Sequence, residues 1–301
     1  MKYVNPGVVT LFTECTASQS TSIARINLFD TGYVIENLRK NIYQKIDDTA
    51  EVWLSYDFVA TNSDYYPPIL FVAQTAARET IASLNFSVVN NAYHLAVKKA
   101  SNTLYTSDNN VSILDEVKHN IEIHLKTGEN GRIDVWLDTK LFMSYRSPTD
   151  FVGTISFVGI DSSTHSTGTS ASTMWVSSII IQDTRRIGLE KFKKLTIAPA
   201  TEQNMAQGST TSYTLSGLTD AAEFSDITGV VALLQPTSRD ANITTGTFAL
   251  NGAEVGTVDV SSSSGKDFVE AISTVNAQTT KPWTRDDIEG KTLTLKVDGA
   301  V

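Results

Sequence analysis

A single cysteine, Cys15, is all that 301 residues contain, so no intrachain disulfide can form and stability has to come from packing. That excludes a disulfide-framed secreted module and fits synthesis in a reducing compartment. Basic residues are in deficit, with 24 Lys and Arg against 33 Asp and Glu, for a net charge of -9. No Lys/Arg stripe interleaved with aromatics offsets that charge, so nucleic acid is not an expected partner. No run approaches the roughly 18 apolar residues of a membrane span. The opening stretch MKYVNPGVVTLF has one lysine, then Pro6 and Gly7, and is too short and broken for the apolar region of a secretion signal. The expectation is a chain without a membrane span that, if it acts outside a cell, leaves by another route.

Chemistry-bearing patterns are missing as well. The four histidines, His94, His119, His124 and His165, have no second ligand at zinc or iron spacing, and His119 and His124 fall on opposite faces of one strand. Asp134 and Asp138 share a strand with Trp136 between them, but no Glu-x-Asp-x-Glu run marks a glycosidase pair. There is no Gly-x-Ser-x-Gly elbow and no phosphate-binding glycine loop, and the apolar flanks of Cys15 predict a buried thiol. The expectation is no enzyme, no catalytic residue and no cofactor. A structural calcium ion held by loop oxygens of Asp57, Asn62 and Asp64, or of Asp161 with Ser162, is the one cation the pattern leaves open.

What is present is alternation. From residue 50 onward apolar residues recur with period two, broken by Gly, Asn, Asp and Ser clusters at intervals of about ten residues, the pattern of an all-β sandwich or jelly roll. Predicted strands are Glu51–Val59, Ile69–Ala73, Ala92–Lys98, Thr103–Ser107, Asn120–Lys126, Arg132–Asp138, Thr154–Ile160 and Met174–Asp183. The clearest unit is a hairpin from Asn120 to Asp138. Its Ile121, Ile123, Leu125, Ile133, Val135 and Leu137 form one core face, and Asn130-Gly131 supplies positive-φ residues for its loop. Asp138-Thr139-Lys140 then reverses the chain into Leu141–Met143. The outward set Glu122, His124, Asp134 and Trp136 is expected to form an exposed cluster on one sheet face. Trp136, with Tyr65 and Tyr66 in an Asn/Ser/Asp-flanked loop, offers aromatic surface for a sugar ring or a protein neighbour.

Asp161 to Ser172 is small, polar and without period, and reads as a solvated loop. The texture changes near 184–198, where a basic stretch gives way to Ser/Thr/Gln-rich sequence, which divides the chain into 1–190 and 191–301. The second part carries predicted strands at Ser212–Leu215, Val230–Gln235, Gly246–Leu250, Glu254–Val260 and Thr292–Val297, with Asn251-Gly252 as a hairpin turn. Phe268, Val269, Ile272 and Val275 fall on one helical face, so Lys266–Ala277 is predicted as a short helix packed on that sheet.

The run N-G-R-I-D-V-W-L-D from Asn130 to Asp138, the later strand I-S-F-V-G-I and the closing W-V-S-S-I-I-I-Q-D ending at Asp183 resemble the laminin-G/concanavalin A-like lectin and glucanase sandwiches. Thr139 stands where that family usually has glycine. The resemblance implies a concanavalin-like jelly roll over about the first 190 residues, followed by a small β-rich domain, and says little about activity. None of the family's calcium or glycan residues transfers to a position here. The tail P-W-T-R-D-D-I-E-G-K-T-L-T-L-K-V, from Pro282 to Val297, is similar to the Trp-Thr-x-x-Asp segment near the ends of minor virion proteins of tailed bacteriophages. That likeness implies a non-enzymatic, homo-oligomeric virion protein with other virion proteins as partners, assembled in bacterial cytoplasm. A host-surface glycan-binding module is the alternative, and a polysaccharide-cleaving jelly roll the third reading.

Overall fold

Alternation along the hairpin gives strands that bury one face each, and two sheets of such strands close on a common core. In the computed structural model the described residues are 2–5, 8, 11–20, 26, 29, 31, 33–37, 41–60, 69–90, 92–113, 115–161, 174–184, 187, 195–198, 204–218, 227–236, 241–261 and 269–299. The chain divides into two compact units, Met1–Phe192 and Lys193–Val301.

The first unit is an antiparallel β-sandwich, as the alternation predicts. Its eight-stranded sheet runs β13 (Lys140–Arg146), β12 (Arg132–Leu137), β11 (His119–Lys126), β6 (Glu51–Ala60), β15 (Met174–Gln182), β4 (Ile35–Asn37), β3 (Ser18–Gln19), with β1 (Lys2–Asn5) also paired to β15. The seven-stranded sheet runs β10 (Asn102–Thr106), β9 (Ala92–Lys99), β8 (Thr80–Val89), β7 (Phe71–Gln74), β14 (Ile155–Asp161), β5 (Asn41–Thr49), β2 (Glu14–Cys15). Leu54, Tyr56, Phe58, Ile121, Ile123 and Val135 from one sheet meet Phe71, Leu84, Leu95, Val158 and Ile160 from the other in one buried core. The Tyr56 hydroxyl, wholly buried, donates to the Leu70 carbonyl at 2.6 Å and so ties β6 to the chain entering β7. At one side Tyr105 of β10 stacks on Tyr145 of β13 with ring centres 5.2 Å apart.

Strand β15 changes neighbours part-way along. Its first residues pair with β4 and its last with β1, and the register slips between Ser177 and Ile180, where Ser178 has φ of 55°. Close backbone approach fixes one glycine: a side chain on Gly159 would meet the Ile42 carbonyl oxygen at 2.0 Å, so β14 and β5 pair as they do only without one.

In the second unit a five-stranded sheet runs β16 (Thr196–Ala198), β17 (Thr210–Ser216), β22 (Thr292–Asp298), β19 (Thr245–Leu250), β20 (Ala253–Asp259), and β18 (Val230–Leu234) pairs with β21 (Val269–Ser273). The expected helix over Lys266–Ala277 is corrected: residues 269–273 are a strand. Antiparallel pairing to β18 and the packing of Ala271 against Gly256 outweigh a 3.6-residue spacing built on β-branched side chains that suit a strand equally well. The Trp-Thr-x-x-Asp segment has a plain structural role. Trp283 is buried, and Asp287 accepts from the Thr284 hydroxyl at 2.7 Å, the Thr284 amide at 2.8 Å and the Asn276 amide at 3.1 Å.

The hairpin loops differ from expectation in one case. Asn251-Gly252 has positive φ at both residues, as predicted. In the long hairpin the positive φ falls on Gly128, the first residue of a 3-10 turn over Gly128–Asn130, while Gly131 has φ of -55°. Gly131 is held to glycine instead by space, since a side chain there would meet the Ser147 carbonyl oxygen at 2.6 Å. The next turn uses Asp138 and Thr139 at φ of 47° and 72°. A β-branched residue in left-handed conformation is strained by about 1 kcal/mol or more. Thr139→Gly is therefore expected to stabilise the first unit by about 1 kcal/mol, read as a rise in denaturation midpoint; a fall would show that Thr139's side chain contributes more than its backbone strain costs.

Candidate functional site

Register places the outward residues of four strands in transverse rows. Trp53 of β6 lies opposite His124 of β11, His124 opposite Asp134 of β12, and Asp134 opposite Ser144 of β13. The next row toward the hairpin loop holds Glu51, Lys126, Arg132 and Arg146, and the next row away from it Ser55, Glu122, Trp136 and Leu141. Register thus puts Glu122, His124, Asp134 and Trp136 on one face.

Their exposure is corrected. His124 is fully buried, Glu122 and Asp134 are 2% and 7% exposed, and Trp136 is half-buried. Trp53 covers the imidazole of His124 in a near-parallel stack at 3.9 Å, and Trp136 stacks on Trp53 at 5.5 Å. The chain leaving β15 returns over this face: the Ile187 amide donates to Glu122 Oε1 at 2.6 Å, and Ile187 is itself buried. Farther along the same face, Val59 and Trp175 pack with Ile26, Phe29 and Val34. Segments from both ends of the unit therefore cover parts of a face that alternation alone assigns to water.

Along the row of His124 the polar groups pair with one another. His124 Nε2 lies 2.8 Å from Glu51 Oε1 and Nδ1 lies 3.2 Å from Asp134 Oδ2. Ser144 donates to Asp134 Oδ1 at 2.6 Å, Lys126 to Glu51 Oε2 at 2.6 Å, and Arg132 Nε stands 3.1 Å from Asp134. Burial pushes the Asp134 carboxyl up, but hydrogen bonds from His124 and Ser144 and the charge of Arg132 outweigh it and hold the group below the usual carboxylate range. Glu51 is lowered in the same way, with burial opposed by Lys126 and His124. The basic side chains of Lys126 and Arg132 and the imidazole of His124 thus stand against the carboxylates of Glu51 and Asp134, while Glu122 accepts from the Ile187 amide.

Asp138 does not share that face. It turns to His119 at the rim of the core, where His119 Nδ1 lies 2.8 Å from Asp138 Oδ2 and Nε2 lies 3.0 Å from Asp115 Oδ1. Burial lowers the His119 pKa, but the two carboxylates outweigh it and raise it above the ordinary histidine value. Asp57 accepts from Asn120 at 2.9 Å and Asp161 from the Tyr43 hydroxyl at 2.7 Å, so two of the oxygens named for calcium are engaged in the protein. Asn62, Asp64, Tyr65, Tyr66 and Ser162 lie outside the described residues. Among the described residues no group of three or more His, Cys, Asp or Glu side chains is placed to hold a metal ion, and no helix is long and apolar enough to cross a membrane. Cys15 is half-buried, and desolvation raises its thiol to about 11.

Sequence reasoning missed a second polar feature on the other sheet. An open cleft of about 590 Å³ lies at the β8–β9 hairpin tip and the chain leaving β10, lined by Val89, Asn90, Ala92, His94, Thr106, Ser107, Asp108 and Asn110. His94 reaches it from β9 and is 8% exposed, with Nδ1 2.8 Å from the Ser107 carbonyl oxygen. A lone histidine in the run AYHLAVKK carries no signal of this, because the partner is a backbone carbonyl.

No family model matches the chain, and no curated protein matches it. Among solved structures it is similar to a cellulose induced protein, Cip1, at 15% identity over 63% of this chain and 94% of that one, with a TM-score of 0.42. It is also similar to a lectin from Bauhinia forficata in complex with GalNAc, at 12% identity over 61% of this chain and 98% of that one, with a TM-score of 0.40. A match to a sialidase has 14% identity and a TM-score of 0.37, covers 50% of this chain and spans only 15% of the sialidase's length. Likeness at this level assigns no activity to the present chain.

Two outcomes follow from the buried row and the rim histidine. Asp134→Ala leaves His124 and Arg132 short of a partner in that row and is expected to cost about 3 kcal/mol in equilibrium unfolding; His124→Leu combined with Asp134→Leu is expected to cost less than the two single changes summed. Because the folded His119 pKa is raised, its contribution is complete below the unfolded value of about 6.5 and is lost as pH rises through the folded value. The stability gap between the wild type and His119→Asn should accordingly be widest below about pH 6.5 and narrow as pH rises above it, and a gap independent of pH would refute the clamp.

Proposed function

We propose that this chain is a non-enzymatic structural component of a tailed-bacteriophage particle, its first unit a rigid carrier and its second unit the part that attaches it to other virion proteins. What carries the non-enzymatic reading is the outer row: the groups suited to acid–base work, Glu51, His124 and Asp134, are tied to one another, with His124 and Asp134 buried. What supports the virion role is the resemblance of the Trp283–Asp287 segment and the strand after it to the ends of phage virion proteins. Assembly in the bacterial cytoplasm and a homo-oligomer set by particle symmetry belong to the same proposal. The aromatic platform expected at Trp136 gives no support to a lectin role there, because Trp136 is half-buried and stacked on Trp53.

The test is a mass-spectrometric inventory of purified virions with assignment of this chain in the particle density, alongside incubation of the purified chain with host envelope polysaccharide. The expected result is the chain present in repeated copies and no oligosaccharide released. Absence from particles sinks the virion role, and release of oligosaccharide that Asp134→Ala abolishes sinks the non-enzymatic one.

A further inference from the structure

The carboxyl of Glu270 in the second unit belongs to no site described so far. It stands on β21 opposite Leu233 of β18, with Ile272 beside it on the same face and Val231 opposite Ile272, so its flanks are apolar. Its Oε2 is sealed from water and has no hydrogen-bond partner among the described residues. Strand β18 carries no titratable side chain. Strand β20, which also packs on β21, brings Glu254 and Asp259, two exposed carboxylates that accept from the Thr257 hydroxyl and the Ser261 amide. No cation faces Glu270 from either strand, and burial pushes its carboxyl up to about 8.

The ribbon that carries this group has few other ties. Strands β18 and β21 pair with each other in a two-stranded sheet, whereas β17, β22 and β19 each have a strand on both sides. Such a ribbon is marginal in water without further packing. Here the packing comes from one face, where Ala232 and Ala271 are buried in the second core and Val230, Leu234 and Val269 lie against it. The fit is close, since a side chain on Gly256 of β20 would meet Ala271 Cβ at 3.0 Å. Glu270 stands on the opposite face, where a neutral carboxyl without a partner costs far less than a carboxylate. In the opened ribbon it ionises at its ordinary value of about 4.5, and in the closed ribbon at about 8. The closed form therefore binds more protons between those values, so its stability is greatest below about pH 4.5 and is lost as pH rises through about 8.

We infer that Glu270 is a proton switch in the second unit: neutral, it leaves the β18–β21 ribbon closed on the core, and ionised, it releases the ribbon. The switch works within the second unit and stands or falls apart from the virion role. Two measurements on the full chain test it. In an NMR titration of the wild type, the side-chain carboxyl carbon of Glu270 is expected to change with a midpoint above about pH 7, and a midpoint near the ordinary value of about 4.5 overturns the inference. In hydrogen exchange corrected for the intrinsic rate at each pH, one linked proton changes protection by at most about tenfold per pH unit. Protection of β18 and β21 is expected to fall by about tenfold or more from about pH 6 to about pH 8.5, with β22 holding its protection. Glu270→Gln keeps the shape without the charge and is expected to leave the ribbon equally protected across that range. A wild-type profile as flat as that of Glu270→Gln overturns the switch, as does a fall of the same size in the variant or an equal fall at β22.

Discussion

An imidazole held between two carboxylates under two indoles fixes more of this molecule than its size suggests. Charged groups removed from water are strongly destabilising unless each finds its counterpart at hydrogen-bond distance. Here those counterparts come from β6, β11, β12 and β13, directly opposite one another across the sheet. A one-residue slip between any two of these strands would turn Ile123 or Val135 outward and drive a charged residue into the apolar core. Apolar alternation makes such a slip unfavourable for any hairpin; the paired charges make it unfavourable on the other face as well. The register of the larger sheet is therefore specified twice, once by the core and once by the paired row.

The hairpin, most of the central strands and the sandwich class were legible because alternation over six or more residues has no other simple reading. Burial on the outer face was not, since it depends in part on Ile187 at Glu122 and on Ile26, Phe29 and Val34 at Val59 and Trp175, residues that lie far away in sequence. Yet a signal was there: Trp53, Trp136 and Trp175 are large aromatics at positions the alternation assigns to water, and such residues seldom go uncovered. Strand β8, with Ser83, Asn85 and Ser87 between apolar residues, alternates well but was passed over, and β5 is too polar to stand out. The mistaken helix at 266–277 shows the converse weakness, that four apolar residues can fit two periods at once until a partner strand decides.

Turn chemistry was read more surely in composition than in conformation. Asn251-Gly252 behaves as expected, whereas Gly131 is required by the approach of Ser147 and Gly128 takes the positive φ. Both glycines are needed, for different reasons. Thr139 takes a positive φ without being glycine and bears the strain itself. The cleft at His94 was invisible for a related cause: the group that orients the ring is a carbonyl, present at every residue and marked by no letter of the sequence.

The Tyr105–Tyr145 stack has one more consequence, for how copies of the first unit can meet. It joins the outermost strands of both sheets on one side, where β10 and β13 carry register shifts and β13 bears Lys140 and Arg146. On the other side the outermost strands, β2 and β3, are two residues each. Bulges, basic residues and short strands are the devices that deny a neighbouring chain a template for sheet extension. A molecule made this way can be crowded at high local concentration without continuing its sheets into its neighbours along these described edges.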